Sequence, residues 1–251
     1  MKFINTKMSL CTLAVAFMSA STLAVANEEL EFDEAQLFFE LNNTDGDLGI
    51  HAKIDGDEWK KLKIEDPNGR TMLKIRVKGR LKRQGLTEIF FESAEPTFDE
   101  LDPDDFFTRF PAGEYEIEGV TLDGEEIESE VELSHVLPAS PENIMISGEP
   151  AAADCDAILP SVSDPVTISW DEVIESHPTL GETGPMEIEY YEVVVENEEQ
   201  ELVMSTMLPD GVTELTIPAG FISLSDEFKF EILARSTNGN KTAVESCFEV
   251  D

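Results

Sequence analysis

Residues 72–83 carry the sharpest chemical contrast in the chain. Lys74, Arg76, Lys78, Arg80 and Lys82 alternate with Leu73, Ile75, Val77, Gly79 and Leu81. A period of two sends successive side chains to opposite faces of a strand. The apolar set then turns to a core and the cations to water or a partner. Just upstream, Lys61 and Lys63 alternate with Leu62 and Ile64, so a second strand offers cations to the same side. Residues 53–83 hold 11 of the 17 Lys and Arg of the chain. Such a stripe suits an anionic partner: an acidic glycan, a lipid headgroup or an acidic protein. A matching acidic pattern lies downstream, in Glu114, Glu116 and Glu118 and again in Glu126, Glu128, Glu130 and Glu132. Two further arrangements fit the same residues. The two faces can be neighbours in one sheet, where each exposed cross-strand pair contributes about 0.2–1 kcal/mol. They can also join copies of the chain head to tail.

A second cluster is Asn43-Thr-Asp45-Gly-Asp47, oxygen side chains around a glycine. It is a weak match to a calcium loop, because no acid follows at the closing position and no helices flank it. Ordinary turn chemistry accounts for it, and no metal is favoured. His51, His135 and His177 are isolated, and there is no Cys-x-x-Cys. No nucleophile elbow, phosphate loop or zinc-protease helix is present. The chain reads as a non-enzyme without a cofactor.

The formal charge is −37. Phosphate binding needs wide positive surface, so nucleic acid is excluded as a partner. Adaptation to salt water, which screens self-repulsion, or calcium loading would account for such a charge. The apolar content of 41% is enough for packed cores. Lys2, Lys7, an apolar run from Met8 to about Ala20 and the small-x-small triplet Ala24-Val25-Ala26 form a secretory signal. Cleavage after Ala26 would leave a secreted or periplasmic chain with no segment long enough to span a membrane. Cys11 falls within the apolar run, so two cysteines remain, Cys155 and Cys247. An even count in an oxidising compartment predicts a disulfide between them.

These patches need elements to position them. Pro138-Ala-Ser-Pro141 and Gly148-Glu-Pro-Ala-Ala-Ala-Asp154 read as a linker. It separates residues 27–137 from residues 155–251. The first part holds seven short apolar segments with turns between them, among them Asp55-Gly56 and Asp66-Pro-Asn-Gly69. Asp102-Pro103 opens a short capped helix, since aspartate accepts from free N–H groups and proline suits the first helical position. The expected fold class is all-β, two tandem β-sandwiches.

In the second part, Val166-Thr-Ile-Ser-Trp170-Asp, Tyr190-Tyr191-Glu-Val193-Val-Val195, Leu215-Thr-Ile217-Pro218, Phe228-Lys-Phe-Glu-Ile-Leu-Ala234 and Asn238-Gly239 follow in order. Residues 160–251 thereby resemble a fibronectin type III domain. Trp170 takes the place of the family's core tryptophan. Phe228 stands where the family has a backbone-bonded tyrosine. The resemblance implies a seven-stranded sandwich with a spacer or binding role and no catalysis. In the first part, Pro111-Ala-Gly-Glu-Tyr115-Glu-Ile resembles Ig-like domains of secreted bacterial proteins. The combined reading is a secreted interaction module that meets a protein or anionic glycan through Lys61, Lys63, Lys74, Arg76, Lys78, Arg80 and Lys82. The alternatives are a structural spacer of an envelope assembly, with self-association, and, last, an enzyme with an unfamiliar site.

Overall fold

The computed structural model describes residues 30–197 and 199–251; the signal segment 1–26 lies outside them. The first half runs β1 (Leu30–Glu31), β2 (Glu34–Asn42), β3 (Asp47–Glu65), β4 (Thr71–Arg76), α1 (Leu81–Gln84), β5 (Leu86–Glu92), α2 (Pro103–Arg109), β6 (Gly113–Thr121) and β7 (Glu126–Leu133). The second runs β8 (Met145–Ile146), β9 (Glu149–Pro150), β10 (Ser161–Val162), β11 (Thr167–Ser169), β12 (Ile188–Asn197), β13 (Leu202–Pro209), β14 (Glu214–Thr216), α3 (Ala219–Ile222), β15 (Glu227–Ser236) and β16 (Lys241–Val250). The protein is all-β, as its alternating segments predict.

β3 organises the first half. Its early stretch pairs with β2 on one side and β5 on the other. Its late stretch pairs with β6 and β4. The register shifts between Asp55 and Trp59, so one strand serves two layers. The tight turn expected at Asp55-Gly56 is therefore a break within a continuing strand. Gly56 fits there because a side chain would meet Phe32 at 3.1 Å. Leu37, Phe39, Ile50 and Ile54 from one layer share a core with Trp59, Leu62, Tyr115 and Ile127 from the other. The buried Tyr115 hydroxyl donates to the Pro111 carbonyl oxygen at 3.0 Å, and burial raises its pKa. That bond is a tyrosine corner. α2 starts as expected, with Asp102 accepting from the Asp104 N–H at 2.9 Å and Pro103 in the first turn.

The second half builds its own core. The sheet β14-β11-β8-β9 lays Ile146, Ile168, Trp170 and Ile217 against Tyr191, Val193, Phe230, Ile232 and Phe248. Trp170 is 4% exposed, in the core position that its resemblance implies. Phe228 is buried and stacks on Phe248 at 5.6 Å instead of making a tyrosine's hydrogen bond. Cys155 and Cys247 are disulfide-bonded.

Two features depart from the sequence reading. Residues 138–154, read as a linker, carry β8 and β9 and are hydrogen-bonded into the second half. The Ala139 N–H donates to Glu175 and the Thr242 hydroxyl to the Pro138 carbonyl, at 2.9 and 2.7 Å. Second, the halves share a sheet. β16 pairs in parallel with β2, Lys241 opposite Glu40 and Ala243 opposite Asn42. Asn240, wholly buried, spans the junction: its Oδ1 accepts from the Phe39 N–H at 2.8 Å, and its Nδ2 donates to Ser134 and Val136 carbonyls at 2.7 and 2.9 Å. On the outer side of this seam the Arg235 guanidinium and the Lys241 ammonium both lie over the Phe38 ring, at 5.1 and 5.2 Å. Lys241 also pairs with Glu40 at 3.0 Å.

Candidate functional site

The outer face of the layer β4-β3-β6-β7 displays the charges singled out by sequence. Register fixes their order. Lys61 lies opposite Arg76, and Lys63 opposite Lys74, on β3 and β4. Across β3, Lys63 lies opposite Glu118 and Glu65 opposite Glu116. Across β6, Glu118 lies opposite Glu128, Glu116 opposite Glu130 and Glu114 opposite Glu132. One half of the face is thus basic and the other acidic, with the boundary between β3 and β6.

Lys63 stands on that boundary. Its ammonium pairs with Glu65 at 2.6 Å and Glu118 at 2.8 Å. Those bonds, to Glu118 first, raise its pKa above the ordinary lysine value. Carboxylate oxygens of Glu65, Glu116 and Glu118 lie within 4.8 Å of one another, close enough for a metal ion. The Lys63 ammonium bonds two of the three and supplies their positive charge. Lys61, Lys74 and Arg76 are exposed. Among the described residues none of these three has a carboxylate within 4.0 Å. A shallow groove of about 440 Å³ runs between the halves, lined by Lys61, Lys74, Arg76, Glu118, Glu126 and Glu128. The expected cross-strand neighbours therefore exist, but one ion pair joins them.

Lys78, Arg80 and Lys82 do not belong to this face as the alternation predicts. β4 ends at Arg76, and Gly79 takes a φ of +67°, which turns the chain out of the strand. Arg80 immediately precedes α1, without a side-chain capping bond, and Lys82 lies within it. Leu81, expected inward, is 49% exposed. Val77 is buried, so the alternation holds for Leu73, Ile75 and Val77 only. The three cations extend the basic end as a turn.

The oxygen cluster at the β2–β3 turn is committed elsewhere. Asn42 Oδ1 accepts from the Thr44 and Asp45 N–H groups at 3.0 and 3.2 Å, an Asx turn. Asn43 Oδ1 faces His177 Nε2 at 3.3 Å. His177 Nδ1 accepts from the Leu180 N–H at 3.0 Å, so the ring is neutral and donates from Nε2; burial lowers its pKa. His51 bonds Glu95 and His135 bonds the Phe110 carbonyl, at 3.1 and 2.8 Å. Each histidine sits in a structural contact.

The seam holds carboxyls that no local pattern announces. Burial, then the charges of Glu40 and Glu245, pushes Glu231 up to about 7. Burial, then Glu95 and Asp45, pushes Asp47 up to about 6. Both hold a proton more tightly folded than unfolded. Their contribution to stability is present in acid and lost as pH rises through about 6 and 7. The melting temperature should therefore rise between about pH 7.5 and about pH 5.5. Glu231→Gln should raise it at the higher pH by roughly 4–8 °C, from an effect on the order of 2 kcal/mol. The variant's pH dependence should flatten. Melting curves at both pH values check this, and an equally steep dependence in the variant would clear Glu231 of the effect.

Among the described residues no helix is long and apolar enough to cross a membrane. No family model matches the sequence, and no curated relative does. Solved structures with some likeness include one from work on host cell surface retention of a 1.5-MDa bacterial ice-binding adhesin, at a TM-score of 0.27 and 11% identity, covering 89% of this chain and 66% of that one. Another is a tetra-tandem repeat in the extending region of a large adhesion protein, at 0.25 and 9%, covering 87% and 50%. A third is a two-domain fibronectin type III segment from chicken tenascin, at 0.26 and 12%, covering 86% and 97%. The chain thus spans less than two thirds of the first two. Neither fold nor function rests on likenesses of this size.

Proposed function

We propose that this protein is a secreted, non-enzymatic interaction module of two sandwich domains, residues 27–137 and a second that takes in β8 and β9 as well as residues 155–251. Its basic half-face docks an anionic partner, a protein or an acidic glycan. Lys61, Lys74 and Arg76 make the contact, Lys63 borders it, and Lys78, Arg80 and Lys82 extend it from the turn and α1. One observation carries the reading. Lys61 opposite Arg76 and Lys63 opposite Lys74 are like-charge cross-strand pairs, which destabilise a sheet. In a chain of charge −37, acids to neutralise them are abundant, yet among the described residues three of these four cations have no ion pair. A partner's anions would relieve that repulsion. The histidines are all engaged in structural contacts, which supports a role without catalysis. The disulfide and the signal segment support export to an oxidising compartment.

Retention on an immobilised sulfated polysaccharide and on an immobilised acidic protein tests the reading. Lys74→Glu with Arg76→Glu should reduce retention at least tenfold and weaken its salt dependence. The melting temperature should hold or rise slightly, since each glutamate then lies opposite Lys63 or Lys61. Unchanged retention of the folded variant on every acidic matrix that holds the wild type would sink the reading. A spacer role is the second reading, and it draws on the sheet that runs unbroken from one half into the other.

A further inference from the structure

The acidic half of the same face limits what can dock there. Neighbouring strands lie about 4.8 Å apart, so the centre of the β4–β3 half is about 10 Å from that of the β6–β7 half. A polyanion laid between β4 and β3 runs about one Debye length, at 0.1 M salt, from the middle of the acidic half, with Glu118 nearer and Glu126, Glu128 and Glu130 on the strand beyond. It is drawn by one half and repelled by the other. A partner with both signs, in the opposite order, meets no such conflict.

We infer that the docking partner is a second copy of this chain, bound face to face about a two-fold axis parallel to the strands. This rests on the reading of the basic half-face as a docking surface. The axis lies over the boundary between β3 and β6. A two-fold rotation about it places β4 over the partner's β7 and β3 over the partner's β6. Such a rotation keeps the level along the strands, so Lys74 meets Glu128 and Arg76 meets Glu126 of the other copy, and the same contacts recur on the far side of the axis. Such an interface is isologous and closed, so it yields dimers and not filaments. Lys63 falls close to the axis and stays with its own Glu65 and Glu118.

The face is small. Four strands at that spacing and about eight residues of length give roughly 500 Å² per copy. A stable interface buries about 800 Å² per partner, so this dimer is weak and reversible. Salt acts on it in two ways. The net charge of −37 repels the copies over long range, and about 0.1 M salt screens that. The opposed charges act at contact and survive until salt approaches about 1 M.

Sedimentation velocity of the full secreted protein, over a concentration series reaching several hundred micromolar, reads the association. The dimer fraction should be higher at about 0.1 M salt than at about 1 M. Lys74→Glu with Arg76→Glu should be monomeric. Glu126→Lys with Glu128→Lys should weaken the homodimer at least threefold. Mixing the two variants should restore association, since each then offers what the other lacks. A wild type that is monomeric throughout overturns the inference, as does a dimer indifferent to salt or a mixture that stays apart. The wild-type salt series stands even where a variant fails to fold. Should the wild type be monomeric while the Lys74/Arg76 variant still loses retention on the sulfated matrix, the inference fails and the docking function stands. Loss of neither signal removes both.

Discussion

Reducing the Cys155–Cys247 bond should lower the unfolding free energy by about 4–5 kcal/mol, the chain-entropy value for a loop of nearly 100 residues. The two cysteines are 92 residues apart. The bond ties β16 to the segment between β9 and β10. That segment is pinned elsewhere by the Ser246 hydroxyl on the Ala152 carbonyl at 2.9 Å and by the parallel pairing of β10 with β16. The native fold therefore survives reduction, and the loss appears as greater freedom of the unfolded chain. For a chain of this size the melting temperature should fall by roughly 10–18 °C. Calorimetry with and without reductant shows the drop. Cys155→Ser with Cys247→Ser should reproduce it and be insensitive to reductant. An unchanged melting temperature in the variant would mean that the bond contributes nothing.

Asn240→Ala should cost about 2–5 kcal/mol. The substitution leaves the Phe39 N–H and the Ser134 carbonyl without partners in a buried place, at about 1–3 kcal/mol each. The Val136 carbonyl keeps the Asn238 amide at 2.9 Å. Because Asn240 spans the seam, its loss should also uncouple the halves. The chain has two tryptophans, Trp59 in the first core and Trp170 in the second. Trp59→Phe and Trp170→Phe proteins each report one half by fluorescence during urea unfolding. With Asn240 in place the two curves should coincide; with alanine they should separate. Curves that remain coincident would show that Asn240 does not couple the halves.

Much of the fold is legible because its signals are local. Alternation marks β6 and β7, Asp102-Pro103 marks α2, and Trp170 marks the second core. The signals fail where backbone geometry or distance decides. At Gly79 a positive φ ends a pattern that continues in the letters through Lys82. Residues 138–154 have the proline and small residues of a loop, yet Pro138 is buried because its carbonyl has a hydrogen-bond partner about a hundred positions away. The seam is harder still. Glu40 and Lys241 are unremarkable alone, and no periodicity relates strands so far apart in the chain. For the candidate site, composition and alternation identify both charged faces. Register shows that they share one face, and the Lys63–Glu118 ion pair bridges them.

The parallel pairing of β2 with β16 has a consequence for how the chain is made. A polypeptide that emerges amino end first, from a ribosome or an export pore, presents β2 well before β16. The partner residues of β2, 241–243, follow about 200 positions later. Until then one side of β2 offers unpaired N–H and C=O groups, a template for strand addition by any other nascent chain. Charged side chains on such a strand discourage that pairing, and Glu34 and Glu40 lie on it. Glu40 thus acts twice: it guards the open strand of an unfinished chain, then receives Lys241 when β16 closes it.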